Sequence, residues 1–293
     1  MELCIDFGGS EIKLGVVDRG APLRTAVVPV GEGDLEAAAA EAAALAVDLA
    51  PTAAGIAVPG VVDRAAGRMV KAHDKHPRLD GLDLTAWARD AFGLPAVVEN
   101  DARAALVGEI TTGSAAGARD AVLMTLGTGI GTAAVMGGTV LRGAHDHAGI
   151  LGGHLTVDLD APLCNCGNTG CAESIAGAWA IRRDLAARGD AVADVREMFA
   201  AAAAGDTAAA AVRDRAVRAW GATAVSLCHA YDPDVVVLSG GIMRAGDAVA
   251  APVEAYVREH LWTSSHRPSF TVPDRPDLSV LRGLAVLAAG AHS

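Results

Sequence analysis

A short strand, a glycine turn and a second short strand occur twice in this chain, and that repetition is the strongest constraint on its fold. Both copies, at residues 3–17 and 121–136, place the turn between two apolar runs. The turn is Gly8-Gly9 in the first copy and Gly127-Thr128-Gly129-Ile130-Gly131 in the second. Two units of related design predict a two-lobed molecule with a cleft between the lobes.

Helical segments alternate with further apolar runs along the chain. The stretch 35–49 is rich in Ala, Glu and Leu, and the helix predicted over 84–92 has Asp83 as N-cap and Gly93 at its end. Alternating strands and helices are typical of α/β proteins. Strands are also predicted at 54–58, 96–99 and 235–238, and helices at 102–109, 208–231 and 278–289.

The length of 293 residues favours two domains. We expect an N-terminal lobe over residues 1–112, completed by a C-terminal helix over 277–293. We expect a C-terminal lobe over 113–276 that contains a metal-binding knuckle at 154–173.

Composition and charge narrow the class of protein. Apolar residues make up 52% of the chain, enough for a sizeable core, and the net charge of −11 argues against a nucleic-acid partner. No leader pattern opens the chain, and no apolar stretch is typical of a membrane span. We therefore expect a cytoplasmic protein without a membrane partner.

A cluster of cysteines marks the predicted knuckle. Three of the five cysteines and a histidine lie within eighteen residues: His154, Cys164, Cys166 and Cys171. Thiolates and imidazole are the preferred ligands of zinc, and Gly167 and Gly170 allow the backbone to fold back sharply. The alternatives are buried free thiols, or a disulfide that leaves one thiol over and needs an oxidising compartment. We predict a structural zinc site.

The glycine turns have the composition of phosphate-binding loops. Glycine lets a phosphate approach backbone N–H groups, and a carboxylate beside it can hold magnesium through water. Each turn taken singly is more often a plain hairpin, and neither matches a Walker A or a Rossmann pattern. The candidate phosphate-handling residues are Asp6, Gly8, Gly9 and Ser10, then Gly127, Thr128, Gly129 and Gly131, and the later turn Gly240-Gly241.

A third polar group, Glu99-Asn100-Asp101, falls where a predicted strand ends and a helix begins. A carboxylate at such a point can accept a hydroxyl proton while the neighbouring amide orients the substrate. Asn100 or Asp101 can equally cap the following helix. The residues alone favour neither role, and both can hold at once.

These motifs resemble those of a known family. The pattern Cys164-x-Cys166-Gly167-x-x-Gly170-Cys171-x-Glu173 after Gly153-His154 is similar to a signature of the ROK family of repressors and sugar kinases. That family lies within the actin-like, hexokinase-like ATPase superfamily. The resemblance covers nearly the whole chain and implies two actin-like lobes.

The resemblance also implies an ATP-dependent sugar kinase that transfers the γ-phosphate to a hydroxyl of a hexose or hexose derivative. It implies Mg²⁺ and ATP at the turns, with Gly240-Gly241 on the adenosine side, and a homodimer or homotetramer. The residue roles that it implies are Asp101 as base, Asn100, His154 and Glu173 on the sugar, and His154, Cys164, Cys166 and Cys171 on zinc.

Two departures from the family pattern bear on substrate and hydroxyl binding. Ser10 replaces the usual threonine, and Leu151 occupies the position where the family usually has a sugar-binding glutamate.

Two rival functions are alternatives to the kinase. A DNA-binding repressor is disfavoured, because the chain begins at the first hairpin and is acidic. A sugar sensor without phosphoryl transfer is suggested by Leu151 and disfavoured by the presence of Asp6 and Asp101.

Overall fold

The computed structural model describes residues 1–71, 77–188 and 194–291, and the chain divides into two compact units. The first unit comprises residues 1–118, 140–150 and 273–293, and the second comprises 119–139 and 151–272. The prediction placed residues 113–118, 140–150 and 273–276 in the C-terminal lobe, whereas in the structure all three segments group with the first unit.

The described residues form strands and helices in a mixed α/β arrangement, as predicted. The strands are β1 (Glu2–Phe7), β2 (Glu11–Asp18), β3 (Ala21–Pro29), β4 (Ala53–Val58), β5 (Val61–Asp63), β6 (Arg68–Lys71), β7 (Ala96–Asn100), β8 (Ala121–Leu126), β9 (Ile130–Met136), β10 (Thr139–Val140), β11 (Val235–Ser239) and β12 (Ser269–Thr271). The helices are α1 (Asp34–Ala46), α2 (Leu84–Phe92), α3 (Asp101–Thr112), α4 (Ala172–Ala176), α5 (Ala178–Ala187), α6 (Val195–Ala203), α7 (Thr207–Tyr231), α8 (Asp247–His260) and α9 (Ser279–Gly290).

The sheet of the first unit has the order β3-β2-β1-β4-β7. Strands β1 and β2 pair antiparallel as the predicted hairpin, whereas β1, β4 and β7 run parallel. Asp6 pairs with Ala57, and Ala57 pairs with Glu99. Because parallel strands end at the same edge of a sheet, this register brings Asp6 and the Asn100-Asp101 pair to one edge.

Helix α9 packs on α3 and on the central strands β1 and β4. Two glycines permit this close approach. A Cβ on Gly283 would lie 1.7 Å from the Ala104 carbonyl oxygen, and a Cβ on Gly108 would lie 2.1 Å from that of Ser279. Leu281 and Leu284 of α9 are buried in the core between helix and sheet.

The second unit repeats the design. Its sheet has the order β10-β9-β8-β11-β12, in which β8 and β9 form an antiparallel hairpin and β8, β11 and β12 run parallel. The long helix α7 packs against α4, α5, α6 and α8. Both predicted glycine-turn hairpins are therefore confirmed. Among the described residues, no helix has the length and apolar character needed to span a bilayer.

Candidate functional site

The first glycine turn follows directly from β1. The Gly8 N–H donates to the Asp6 carbonyl oxygen at 3.0 Å, and a Cβ on Gly8 would lie 2.7 Å from the Glu11 carbonyl oxygen. Gly9 has no atom within 4 Å of its Cβ position, and Ser10 is exposed. The turn is thus held tightly at Gly8 and open to an incoming group at Gly9.

Asp6 is a buried acid with an unsatisfied oxygen. Its side chain is 4% exposed, and its Oδ1 has no hydrogen-bond partner within the described residues. Burial raises the pKa of Asp6 to about 7, Lys13 opposes that rise and the Asp101 carboxylate adds to it. A buried carboxylate in this condition is stabilised by a cation or by a hydrogen-bond donor that arrives with a ligand.

Asn100 and Asp101 form the junction between β7 and α3. Asn100 Oδ1 accepts from the Arg103 N–H at 3.1 Å, which makes Asn100 the N-cap of α3. Asn100 Nδ2 donates to Gly60 O at 2.9 Å and to Asp101 Oδ1 at 3.0 Å. The capping role is confirmed, and the same bonds fix the orientation of the Asp101 carboxylate.

A buried charge cluster lies beside this pair, and the sequence reasoning missed it. Glu99, 1% exposed, pairs with Arg142, with Arg64 at 3.5 Å and with Arg103 at 3.6 Å. Burial lowers the pKa of Arg103, and Glu99 opposes the shift. One sequence signal was present: Arg103 is a charged residue among the apolar residues Ala102, Ala104 and Ala105 of α3.

The second glycine turn is held by a hydrogen bond to an acid that is distant in the sequence. Glu173, on α4 and 5% exposed, accepts from the Ile130 N–H through Oε2 at 2.8 Å. A Cβ on Gly129 would lie 2.3 Å from that same oxygen. Gly127 is also held in place, because its carbonyl oxygen accepts a hydrogen bond from the Ala178 N–H of α5 at 3.0 Å.

Gly240 lies against the end of β8 with φ of 96°, and a Cβ there would lie 2.5 Å from the Leu126 carbonyl oxygen. The turns 127–131 and 240–241 are therefore neighbours in the second unit. A cavity of about 240 Å³ opens between them, and its lining includes Gly127, Thr128, Gly241 and the arginines Arg182, Arg196 and Arg244. Glycine N–H groups and guanidinium groups both favour a phosphorylated ligand.

His154, Cys164, Cys166 and Cys171 converge as predicted, and their ligand atoms all lie within 4.8 Å of one another. Cys164 Sγ is 3.7 Å from His154 Nδ1, and Cys166 Sγ is 3.6 Å from Cys171 Sγ. In a tetrahedral site with zinc–sulfur distances of ~2.3 Å, ligand atoms are about 3.8 Å apart. The donor set fits zinc, and the sulfurs are too far apart for a disulfide.

The backbone of the knuckle builds this cluster locally. Gly167 and Gly170 have φ of 90° and 83°, and a Cβ on Gly170 would lie 2.1 Å from the Asp158 carbonyl oxygen. Burial raises the pKa of Cys171 to about 12 and also raises the pKa of Cys164. A divalent metal offsets this penalty, because a coordinated thiol loses its proton.

The sequence as a whole decides the family, since residues 2–291 match the ROK family. The chain belongs to the ROK family. It is 33% identical over 281 residues to a glucokinase of Thermotoga maritima, covering 89% of this chain and 88% of that protein.

Two solved ROK structures share the fold over almost their full length. The ROK glucokinase of Streptomyces griseus, determined with glucose and AMPPNP, is 29% identical with a TM-score of 0.85 and 99% coverage of each chain. The ROK hexokinase of Thermus thermophilus is 32% identical with a TM-score of 0.83, covering 99% of this chain and 98% of that one.

Proposed function

We propose that this ROK protein is an ATP-dependent hexose kinase, which transfers the γ-phosphate of ATP to a hydroxyl of a hexose or hexose derivative. The observation that carries the proposal is the sheet edge of the first unit. There a buried carboxylate with an unsatisfied oxygen, Asp6, lies beside a glycine turn and within electrostatic reach of Asp101. Kinship with glucokinases and a hexokinase supports the same activity.

In the first unit we assign Asp6 to a magnesium ion, held through water, and Gly8, Gly9 and Ser10 to the phosphates. Mg²⁺ would neutralise charge on the β- and γ-phosphates. Asn100 would hydrogen-bond the sugar, and Asp101 would accept the proton of the attacking hydroxyl. The hydroxyl oxygen bonds to the γ-phosphorus as the bond to the β-phosphate oxygen breaks, and ADP leaves.

In the second unit we assign Gly127, Thr128, Gly129 and Gly131 to the nucleotide phosphates. Gly240, Gly241 and the adjoining cavity would hold the adenosine side. His154 and Glu173 would bind sugar hydroxyls, Glu173 through Oε1 because Oε2 is engaged with Ile130.

Zinc held by His154, Cys164, Cys166 and Cys171 would act as a structural ion that fixes the orientation of His154. Five cysteines without a disulfide and the use of ATP suit the cytoplasm, where thiols stay reduced. We therefore place the enzyme there.

The identity of the sugar is tested by the same experiment as the activity. Leu151, 41% exposed, precedes His154 by three residues and offers no hydrogen bond where the family usually has a carboxylate. A site that loses a polar partner rewards a different set of hydroxyls.

The experiment is an ADP-release assay with MgATP across a panel of hexoses, hexosamines and N-acylated amino sugars. We expect sugar-dependent ADP release on at least one of them, and a roughly 10²- to 10⁴-fold lower kcat in Asp101→Asn. The matched control is Asp90→Asn, an exposed acid on α2 that should turn over normally. Sugar binding without ADP release by the wild-type protein would identify a sensor instead.

A further inference from the structure

The proposed kinase chemistry does not use Arg103, although it is the most deeply buried charge among the described residues of the first unit. Its side chain is 0% exposed, and it lies on α3 two residues after Asp101. A charge without solvent is retained only where its partners repay the cost of burial. The partners of Arg103 therefore indicate what it does.

Arg103 holds one loop, residues 141–148, against helix α3. Its Nε donates to Leu141 O at 3.1 Å, and its Nη2 donates to Asp146 O at 2.9 Å and to Ala148 O at 2.8 Å. Asp146 has φ of 57°, a left-handed backbone that few residues other than glycine adopt. Such a conformation persists when surrounding contacts fix it, and here they include the Arg103 guanidinium and the hydrogen bond from the Ala148 N–H to Arg142 O at 2.9 Å.

The same loop carries Arg142 to Glu99. Arg142 Nη1 contacts Glu99 Oε2, while Glu99 Oε1 accepts from the Asn100 N–H at 2.9 Å. Arg103 Nη1 lies between Glu99 Oε1 at 3.6 Å and Asp146 Oδ1 at 3.8 Å and makes no hydrogen bond among the described residues. Charge attraction from Arg103 and direct contact from Arg142 thus fix Glu99 beneath the Asn100 backbone.

A continuous set of contacts therefore runs from the loop to the proposed base. Asn100 links Glu99 to Asp101, because its N–H bonds Glu99 and its Nδ2 bonds Asp101 Oδ1. Asp101 Oδ1 also accepts from the Ala102 N–H at 2.8 Å. The carboxylate has little freedom as long as Glu99 and Asn100 stay in place.

We propose that Arg103 is a positioning residue of the acceptor site: it holds the 141–148 loop on α3, the loop delivers Arg142 to Glu99, and Glu99 in turn orients Asn100 and Asp101. The proposal rests on the proposed kinase function and extends it to residues that touch neither substrate. A lysine cannot replace Arg103, because one ammonium group lacks the divergent N–H donors that reach three carbonyl oxygens.

The test compares Arg103→Lys and Arg142→Gln with Arg24→Gln. Arg24 is the matched control, since its Nη1 also ties chain segments together by donating to Leu45 O and Val47 O, away from Asp101. We expect Arg103→Lys to lower kcat/KM for the sugar by about 10- to 100-fold, while KM for ATP stays close to the wild-type value. Arg142 is 22% exposed, so Arg142→Gln keeps the test available if Arg103→Lys does not fold.

A double-mutant cycle separates positioning from general destabilisation. If Arg103 acts through Asp101, Arg103→Lys should reduce kcat far less in an Asp101→Asn background than in the wild-type background. Equal reductions in both backgrounds would overturn the proposal. So would wild-type sugar kinetics in both Arg103→Lys and Arg142→Gln.

Amide hydrogen exchange, measured without substrates, keeps this inference distinguishable from the proposed function. We expect Arg103→Lys, and not Arg24→Gln, to speed exchange of the amides in 141–148 by about tenfold or more. Unchanged amide exchange in residues 141–148 would overturn the proposal that Arg103 holds this loop, even if the protein is an active kinase. A wild-type protein that releases no ADP with any sugar would instead overturn the proposed function, and the positioning role with it.

Discussion

The two glycine turns have similar local structure, but the carboxylate near each turn differs in its hydrogen bonding. In the second unit the acid comes from helix α4, and Glu173 accepts a hydrogen bond from the Ile130 N–H. In the first unit the acid is on the strand itself, and Asp6 Oδ1 is buried without a hydrogen bond among the described residues. One acid is satisfied within the fold, and the other is not.

This difference indicates that Glu173 supports the fold, whereas Asp6 is available to a ligand. A buried acceptor with a partner stabilises the fold modestly, whereas a buried acceptor without one costs free energy. In the second unit Glu173 satisfies the buried Ile130 N–H of the turn. The first unit keeps an unfavourable group at Asp6, which is expected at a site that binds a cation.

Removal of zinc should have the largest effect, and it should begin in the second unit. In small zinc-finger peptides the metal contributes about 10 kcal/mol or more of apparent folding free energy. We expect Cys166→Ser to lose zinc, measured by mass spectrometry of the metal, and to lose amide protection across 154–173. Cys228→Ser, a buried thiol outside the cluster, should keep one zinc per chain. Full zinc content in Cys166→Ser would contradict the assignment.

Asp6→Asn should stabilise the protein while abolishing turnover. The folded-state pKa is raised from 3.8 to about 7, so the folded protein binds the extra proton and wild-type stability falls as pH rises between these values. Three pKa units correspond to about 4 kcal/mol at most. Urea unfolding without added magnesium should show Asp6→Asn more stable than wild type at pH 8, with little difference near pH 4.

Asp90→Asn is the control for that comparison, because Asp90 is exposed on α2. Its stability relative to wild type should not change between the two pH values. If Asp6→Asn were no more stable than wild type at pH 8, the carboxylate would be satisfied in solution and the contrast between the turns would fail.

The features that the sequence predicted well depend on residues close together in the chain. Helix α2 begins after Asp83, whose Oδ1 accepts from the Ala86 N–H at 2.9 Å, and it ends at Gly93 with φ of 69°. The cysteine cluster was predictable for the same reason, since three of its ligands lie within eight residues, 164–171. Local capping and turn rules need no tertiary information.

The features that were missed depend on partners far apart in the chain. Arg142 and Glu99 are separated by 43 positions, and so are Ile130 and Glu173. No local sequence pattern predicts either contact. The contact between Arg142 and Glu99 explains why residues 140–150 group with the first unit. Strand β3 was missed because it is largely exposed and carries Pro22 and Pro29, which weaken a strand signal.

The smallest expected effects are those of Gly9→Ala and Gly129→Ala. These two substitutions compare the two turns directly. A Cβ at Gly9 meets nothing within 4 Å, whereas a Cβ at Gly129 falls 2.3 Å from Glu173 Oε2. Gly129→Ala should therefore lower the free energy of unfolding by about 1–3 kcal/mol, because Glu173 is displaced from the Ile130 N–H. Gly9→Ala should unfold like wild type and instead raise KM for ATP, since its methyl group fills the space left for a phosphate.

A Glu173→Ala background decides whether this explanation is correct. Without the carboxylate, Gly129→Ala loses its main steric conflict and should cost less stability than it does in the wild-type protein. Urea unfolding of the two single variants and the double variant measures that coupling. If the cost of Gly129→Ala were unchanged, Glu173 would not be the group that supports the second turn, and the two turns would differ only in sequence.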